Sequence, residues 1–106
     1  MFSRSGPLVR YQPADVVLTF EGNRFRGSSS ISRYPAICEG TFEVDNGKIR
    51  FADACFWTAD FDWTYILKGE FDLSITRDEL TITRSYDGSV DDRYSLRQQI
   101  ERSAGL

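Results

Sequence analysis

The stretch Thr41-Phe42-Glu43-Val44-Asp45-Asn46-Gly47-Lys48-Ile49-Arg50-Phe51-Ala52 decides the fold. Apolar and polar residues alternate on both sides of Asn-Gly, the pair that most readily takes the positive φ angles of a two-residue type I′ loop. Counting outward from that loop sets Asp45 against Lys48, Val44 against Ile49, Glu43 against Arg50 and Phe42 against Phe51. The apolar pairs then share one face and the charged pairs the other, the pattern of an antiparallel hairpin with one face in a core.

Carried further, the same register brings Gly40 opposite Asp53 and Cys38 opposite Cys55. Alternation makes the cysteines a non-hydrogen-bonded pair, with Cα atoms about 4.5 Å apart, near the short end of the disulfide range. A Cys38–Cys55 bridge is therefore expected, and loop closure gives it about 3 kcal/mol of stabilisation. The alternative is two buried thiols packing as small apolar side chains. A disulfide implies an oxidising compartment, so the periplasm or the exterior of the cell, with any leader absent from this chain; the thiol form leaves the cytoplasm open. Two cysteines without any histidine make a poor zinc set, and no metal or cofactor is expected.

The same counting organises the flanks. Val16, Leu18 and Phe20 alternate into Gly22-Asn23, which sets Phe20 against Phe25 and Glu21 against Arg24. A turn at Arg77-Asp78 opposes Ile75 to Leu80 and Leu73 to Ile82. A bulged or three-residue connection around Asp87-Gly88-Ser89 then aligns Ile82 with Tyr94 and Leu80 with Leu96. Between these hairpins the odd positions from Trp63 through Tyr65, Leu67, Gly69, Phe71 and Leu73 to Ile75 form a period-two apolar set. They are expected as one long strand bent at Gly69, the device by which a sheet turns a barrel corner.

The sum is an all-β fold: an antiparallel up-and-down meander of seven to eight strands closing into a small barrel, which leaves no unpaired edge. A chain of 106 residues suits one domain over 1–106, with residues 1–14 and 99–106 as loose ends. Phe20, Phe25, Phe42, Phe51, Trp63, Tyr65, Phe71 and Tyr94 are expected inside, which leaves at most a shallow pocket at one mouth.

Composition narrows the function. Without histidine the chain lacks the commonest general base, and no enzymatic activity is expected. A net charge of −3 with both signs interspersed argues against nucleic acid as a partner. No apolar run is long enough for a transmembrane helix, and a monomer is expected.

One segment, Phe56-Trp57-Thr58-Ala59-Asp60-Phe61-Asp62-Trp63, crowds aromatics and carboxylates together. Trp57, Asp60, Asp62, Trp63 and Tyr65 are the candidate ligand-binding residues: rings to stack on a sugar or apolar ligand, carboxylates to accept hydroxyl bonds. The bland reading has the rings plugging one barrel end while the acids face water or satisfy turn amides. Asp60 and Asp62 as a glycosidase-like acid pair is a lesser reading. The acidic run around Asp87, Asp91 and Asp92 is expected to be solvated.

The serial meander from Asp15 to Arg97, with its glycine-bent strand, resembles the lipocalin-like (calycin) barrels. More locally, Leu18-Thr19-Phe20-Glu21-Gly22-Asn23-Arg24-Phe25-Arg26-Gly27-Ser28, followed by Tyr34, Gly40, Phe42, Ile49, Phe51 and Cys55, is similar to the META domain of bacterial envelope proteins. Either resemblance implies a non-catalytic envelope or secreted barrel. The expected function is binding of a small apolar or sugar-like ligand at one mouth; the alternative is a protein-interaction or inhibitory module acting through exposed loops.

Overall fold

Asn46 and Gly47 take φ angles of 51° and 73° in the computed structural model, which describes residues 1–6, 11–86 and 90–97. The hairpin they close joins β4 (Glu39–Asp45) to β5 (Lys48–Asp53) in the register expected from sequence, from Asp45–Lys48 out to Gly40–Asp53. The remaining strands are β1 (Phe2–Ser5), β2 (Val16–Glu21), β3 (Arg24–Ser29), β6 (Gly69–Thr76), β7 (Glu79–Tyr86) and β8 (Val90–Arg97), with a 3-10 turn at Trp63–Tyr65. All eight form one antiparallel sheet in the order β1-β8-β7-β6-β5-β4-β3-β2. Phe20–Phe25, Ile75–Leu80, Ile82–Tyr94 and Leu80–Leu96 pair as counted from sequence. The Asp87-Gly88-Ser89 connection and the tail from residue 98 lie outside the described residues.

The sheet curls until β1 meets the segment before β2. Phe2 and Ala14 exchange backbone hydrogen bonds of 2.8 and 3.0 Å there, so the barrel is nearly closed. Phe2–Ser5 thus forms a strand of the sheet, within the stretch 1–14 set aside as an end in the sequence reading. Phe2 is fully buried, with ring contacts to Tyr34, Tyr65 and Tyr94, and that burial holds the short strand in place. Around it Phe25, Ile49, Phe51, Leu67, Phe71, Ile82 and Tyr94 fill the barrel. Gly40 lets β4 and β5 approach closely, since a Cβ there would lie 1.9 Å from the Ala52 carbonyl oxygen.

The long strand from Trp63 to Ile75 is broken. Asp62 caps the turn at Trp63–Tyr65, Ile66 and Leu67 are both buried, and β6 begins only at Gly69, whose φ is +87°. Alternation survives from Leu67 to Leu73, but Trp63 leaves the interior and is 47% exposed. The barrel closes by stagger between hairpins instead. Phe42 N donates to Asn23 O and Leu73 N to Gly47 O, so each hairpin overhangs the turn of the one before. That overhang leaves the inner-face residues Val44 and Ile75 in solvent.

Candidate functional site

Tight turns close one end of the barrel, and the connections at 30–38 and 54–68 close the other. Ala36 N donates to Tyr65 O at 2.8 Å and Leu67 N to Ala36 O at 2.9 Å, a parallel bridge that zips the two connections across the mouth. Pro35, Ala36, Ile66 and Leu67 are buried beneath it. The Cys38–Cys55 disulfide ties the same connections at their roots. Its Cα atoms are 6.3 Å apart rather than about 4.5 Å; the ladder of β4 with β5 ends at Gly40–Asp53, with one further bond from Ala54 N to Glu39 O at 2.9 Å. Among the described residues, these two connections cover the mouth expected to receive a ligand.

The candidate residues sit on this cap with their polar atoms engaged. Trp57 Nε1 donates to Asp53, and its ring packs edge-on against Phe61 at 5.9 Å. Trp63 Nε1 donates to Thr58 O at 2.7 Å. Asp60 accepts from the Thr58 hydroxyl and from Arg33 Nη1 at 3.0 Å, and these two bonds hold its carboxyl below the usual range. Asp62 accepts from Thr64 Oγ1 at 2.7 Å and Thr64 N at 2.9 Å, which lowers its carboxyl as well. Neither acid has the raised pKa that a general acid needs. Asp60 and Asp62 thus bond different partners, and both side chains remain more than half exposed. Tyr65 lies under the cap with Arg4 stacked 3.9 Å from its ring centroid. Phe56, next to Cys55, is the exception: it is 94% exposed.

Below the cap lies a cluster that sequence reading missed. Arg4 Nε and Nη2 donate to the two Asp92 carboxylate oxygens at 2.6 and 2.8 Å, a bidentate pair with both side chains buried. Burial works against the charge on Arg4, but the bond and attraction to Asp92 outweigh it and hold the guanidinium protonated. The Tyr86 hydroxyl accepts from Arg84 Nε at 2.9 Å and is 3.0 Å from Asp92 Oδ2. It has one proton to give, and the carboxylate is a better acceptor than Thr64 O at 3.2 Å. Burial raises the Tyr65 and Tyr86 phenols, which therefore stay neutral. Asp92 is thus no solvated acid. The clue was positional: once β1 is recognised, Arg4 stands opposite Asp92 on the neighbouring strand.

An open groove of about 270 Å³ lies on the outer face of β2 to β4, lined by Thr19, Glu21, Arg24, Arg26 and Glu39. None of the candidate ligand residues borders it. No helix among the described residues is long and apolar enough to cross a membrane. No family model, curated protein or solved structure matches the chain.

Proposed function

We propose that the chain is a non-enzymatic interaction module of the periplasm or cell exterior that docks another protein through its aromatic cap. The observation carrying this reading is Phe56, almost wholly in solvent on a loop whose other groups are fixed. The disulfide holds the residue before it, and the bonds Trp57–Asp53, Trp63–Thr58 and Asp62–Thr64 hold the segment after it. A loop held by such bonds loses less conformational entropy on association, and aromatic side chains are enriched at the cores of interfaces. The partner implied is a protein with an apolar pocket for one phenyl ring. The disulfide supports the extracytoplasmic location.

A photoreactive phenylalanine analogue at position 56 tests the proposal in the cells that make the protein. A discrete adduct is expected from position 56 and none from exposed Ala52 on the barrel wall. Against the purified adduct partner, Phe56→Ala should weaken binding by about 2 kcal/mol or more. Absence of any discrete adduct overturns the reading.

Half-exposed Trp63 favours a second reading, stacking of a sugar-like or small apolar ligand on the cap beside Trp57, Asp60 and Asp62. Tryptophan fluorescence titrated with glycans and lipids separates the two, since docking through Phe56 expects flat curves.

A further inference from the structure

We infer that the Cys38–Cys55 disulfide is a charge-selective site of thiol exchange: the Glu39 carboxylate beside it turns away anionic thiols and leaves it open to thiols that carry a positive charge. The two Sγ atoms and a Glu39 carboxylate oxygen lie within 4.8 Å of one another. Both cysteines are only partly buried, so the bond is not closed off from solvent.

The strand ends set this arrangement. Cys38 directly precedes β4, which begins at Glu39, and Cys55 follows shortly after Asp53, where β5 ends. The Ala54 N–H donates to Glu39 O at 2.9 Å, which keeps Glu39 beside the bridge, and that carbonyl oxygen is itself 4.0 Å from Cys55 Sγ. Asp53 adds a second carboxylate, one oxygen of which accepts from Cys55 N at 3.4 Å. The cations facing Glu39 stand on β3. Arg24 Nη2 is 3.5 Å from its carboxylate, with both side chains more than half exposed, and Arg26 is its partner in the ladder. An exposed pair of this kind is loosely held, so Arg24 offsets the Glu39 charge only in part.

In the exchange a thiolate attacks one sulfur, the S–S bond breaks and the other sulfur leaves as a thiolate; a second thiolate then attacks the mixed disulfide. One protein disulfide and two small thiols become two protein thiols and one small disulfide, so protons and electrons balance. Negative charge arrives with the attacking sulfur and stays with the leaving one, and a neighbouring carboxylate opposes both. Two unit charges at such a separation in water change a rate by about fivefold. A thiol with its own cation escapes much of this repulsion, and a thiol with a second anion adds to it. The reductant admitted is therefore one whose sulfur is set among positive charges. Because Cys55 precedes Phe56, exchange here unties the two cap connections at the root of the loop that presents that ring.

Reduction of the native chain by cysteamine and by mercaptoethanesulfonate, quenched by alkylation and read by intact mass, tests the inference. Each rate is divided by the same thiol's rate on an uncharged small disulfide, which removes the intrinsic difference between the two thiols. At low salt the corrected rate for cysteamine should exceed that for mercaptoethanesulfonate by about fivefold or more, and the preference should shrink as salt rises. Glu39→Gln should cut the preference by about half or more. Arg24→Gln, which bares the Glu39 carboxylate, should widen it. Phe56→Ala should leave it unaltered, which keeps the result independent of docking through the aromatic cap. Equal corrected rates overturn the selectivity, as does a bond that neither thiol reduces in the native chain. A preference that salt does not weaken, or that survives Glu39→Gln because both thiols react faster by one factor, overturns it as well.

Discussion

Asp92→Asn is expected to remove a large part of the stability of the barrel. The substitution keeps the shape of the side chain but leaves the Arg4 guanidinium buried with a neutral amide in place of its carboxylate. What remains near it is weak: Thr64 O at 3.4 Å from Nη2, the Tyr65 ring, and Asp62 at 3.7 Å from Nη1. Breaking one side of a buried ion pair typically costs about 3–5 kcal/mol. Asp62 is half exposed and supplies partial compensation, which argues for the lower end, about 3 kcal/mol. A domain of this size has only about 5–15 kcal/mol in total. Arg4→Met strands the opposite charge, and the hydroxyl of Tyr86 alone then answers the carboxylate. The double substitution Arg4→Met/Asp92→Leu removes both charges and should cost less than the sum of the singles by about 2 kcal/mol or more, since the two residues touch. Urea unfolding followed by tryptophan fluorescence gives all three numbers, provided the variants share one m-value. A loss below about 1 kcal/mol for Asp92→Asn, or strict additivity in the cycle, would refute the pair as the polar anchor of β1.

Replacing both cysteines, Cys38→Ser/Cys55→Ser, opens a closure of 17 residues in sequence and should cost about 3 kcal/mol by the same unfolding assay. Thiol titration of the denatured, unreduced wild type should find no free thiol; two would remove the argument for an oxidising compartment. Gly40→Ala should destabilise by about 1–3 kcal/mol, because its methyl group must displace the Ala52 carbonyl. A neutral Gly40→Ala would show that β4 and β5 are not so closely apposed. Asp62, whose carboxyl is lowered by the Thr64 bonds, contributes stability above its ordinary value of 3.8 and loses it as pH falls through the depressed one. The stability gap between wild type and Asp62→Asn should therefore be constant near neutrality and shrink below about pH 4. A gap that persists to pH 2 would place the effect in packing rather than charge.

Four hairpin registers were legible in the sequence because each is a local count from a turn with its own chemistry. Once Asn46-Gly47 or Gly22-Asn23 closes a loop, side-chain alternation leaves one register in which apolar residues share a face. The disulfide was legible for the same reason, as an extension of one such count. The segment from Trp63 to Ile75 was not, because it has no turn to count from. Its alternation suits a strand, but Asp62 bonding to Thr64, the Ala36 bridge to Tyr65 and Leu67, and the positive φ of Gly69 each impose another conformation. Of the two readings of the candidate acids, the bonds agree with turn stabilisation for Asp62, which accepts from the Thr64 amide, while the Arg33 partner of Asp60 lies 27 positions away and is not visible along the chain.

The chain alone determined what depends on neighbours a few residues apart: the strands, their pairing across short turns, and the face each presents to the core. Whether the meander closed, which mouth was covered and what lay beneath the cover depended on partners some sixty to ninety positions away, as Arg4 is from Thr64 and Asp92. Those contacts join residues far apart along the chain, and no local pattern announces them. For that reason Asp92, one acid among several in a polar stretch, became the buried counter-charge of the first strand, while Phe56, one aromatic among many, was left in water.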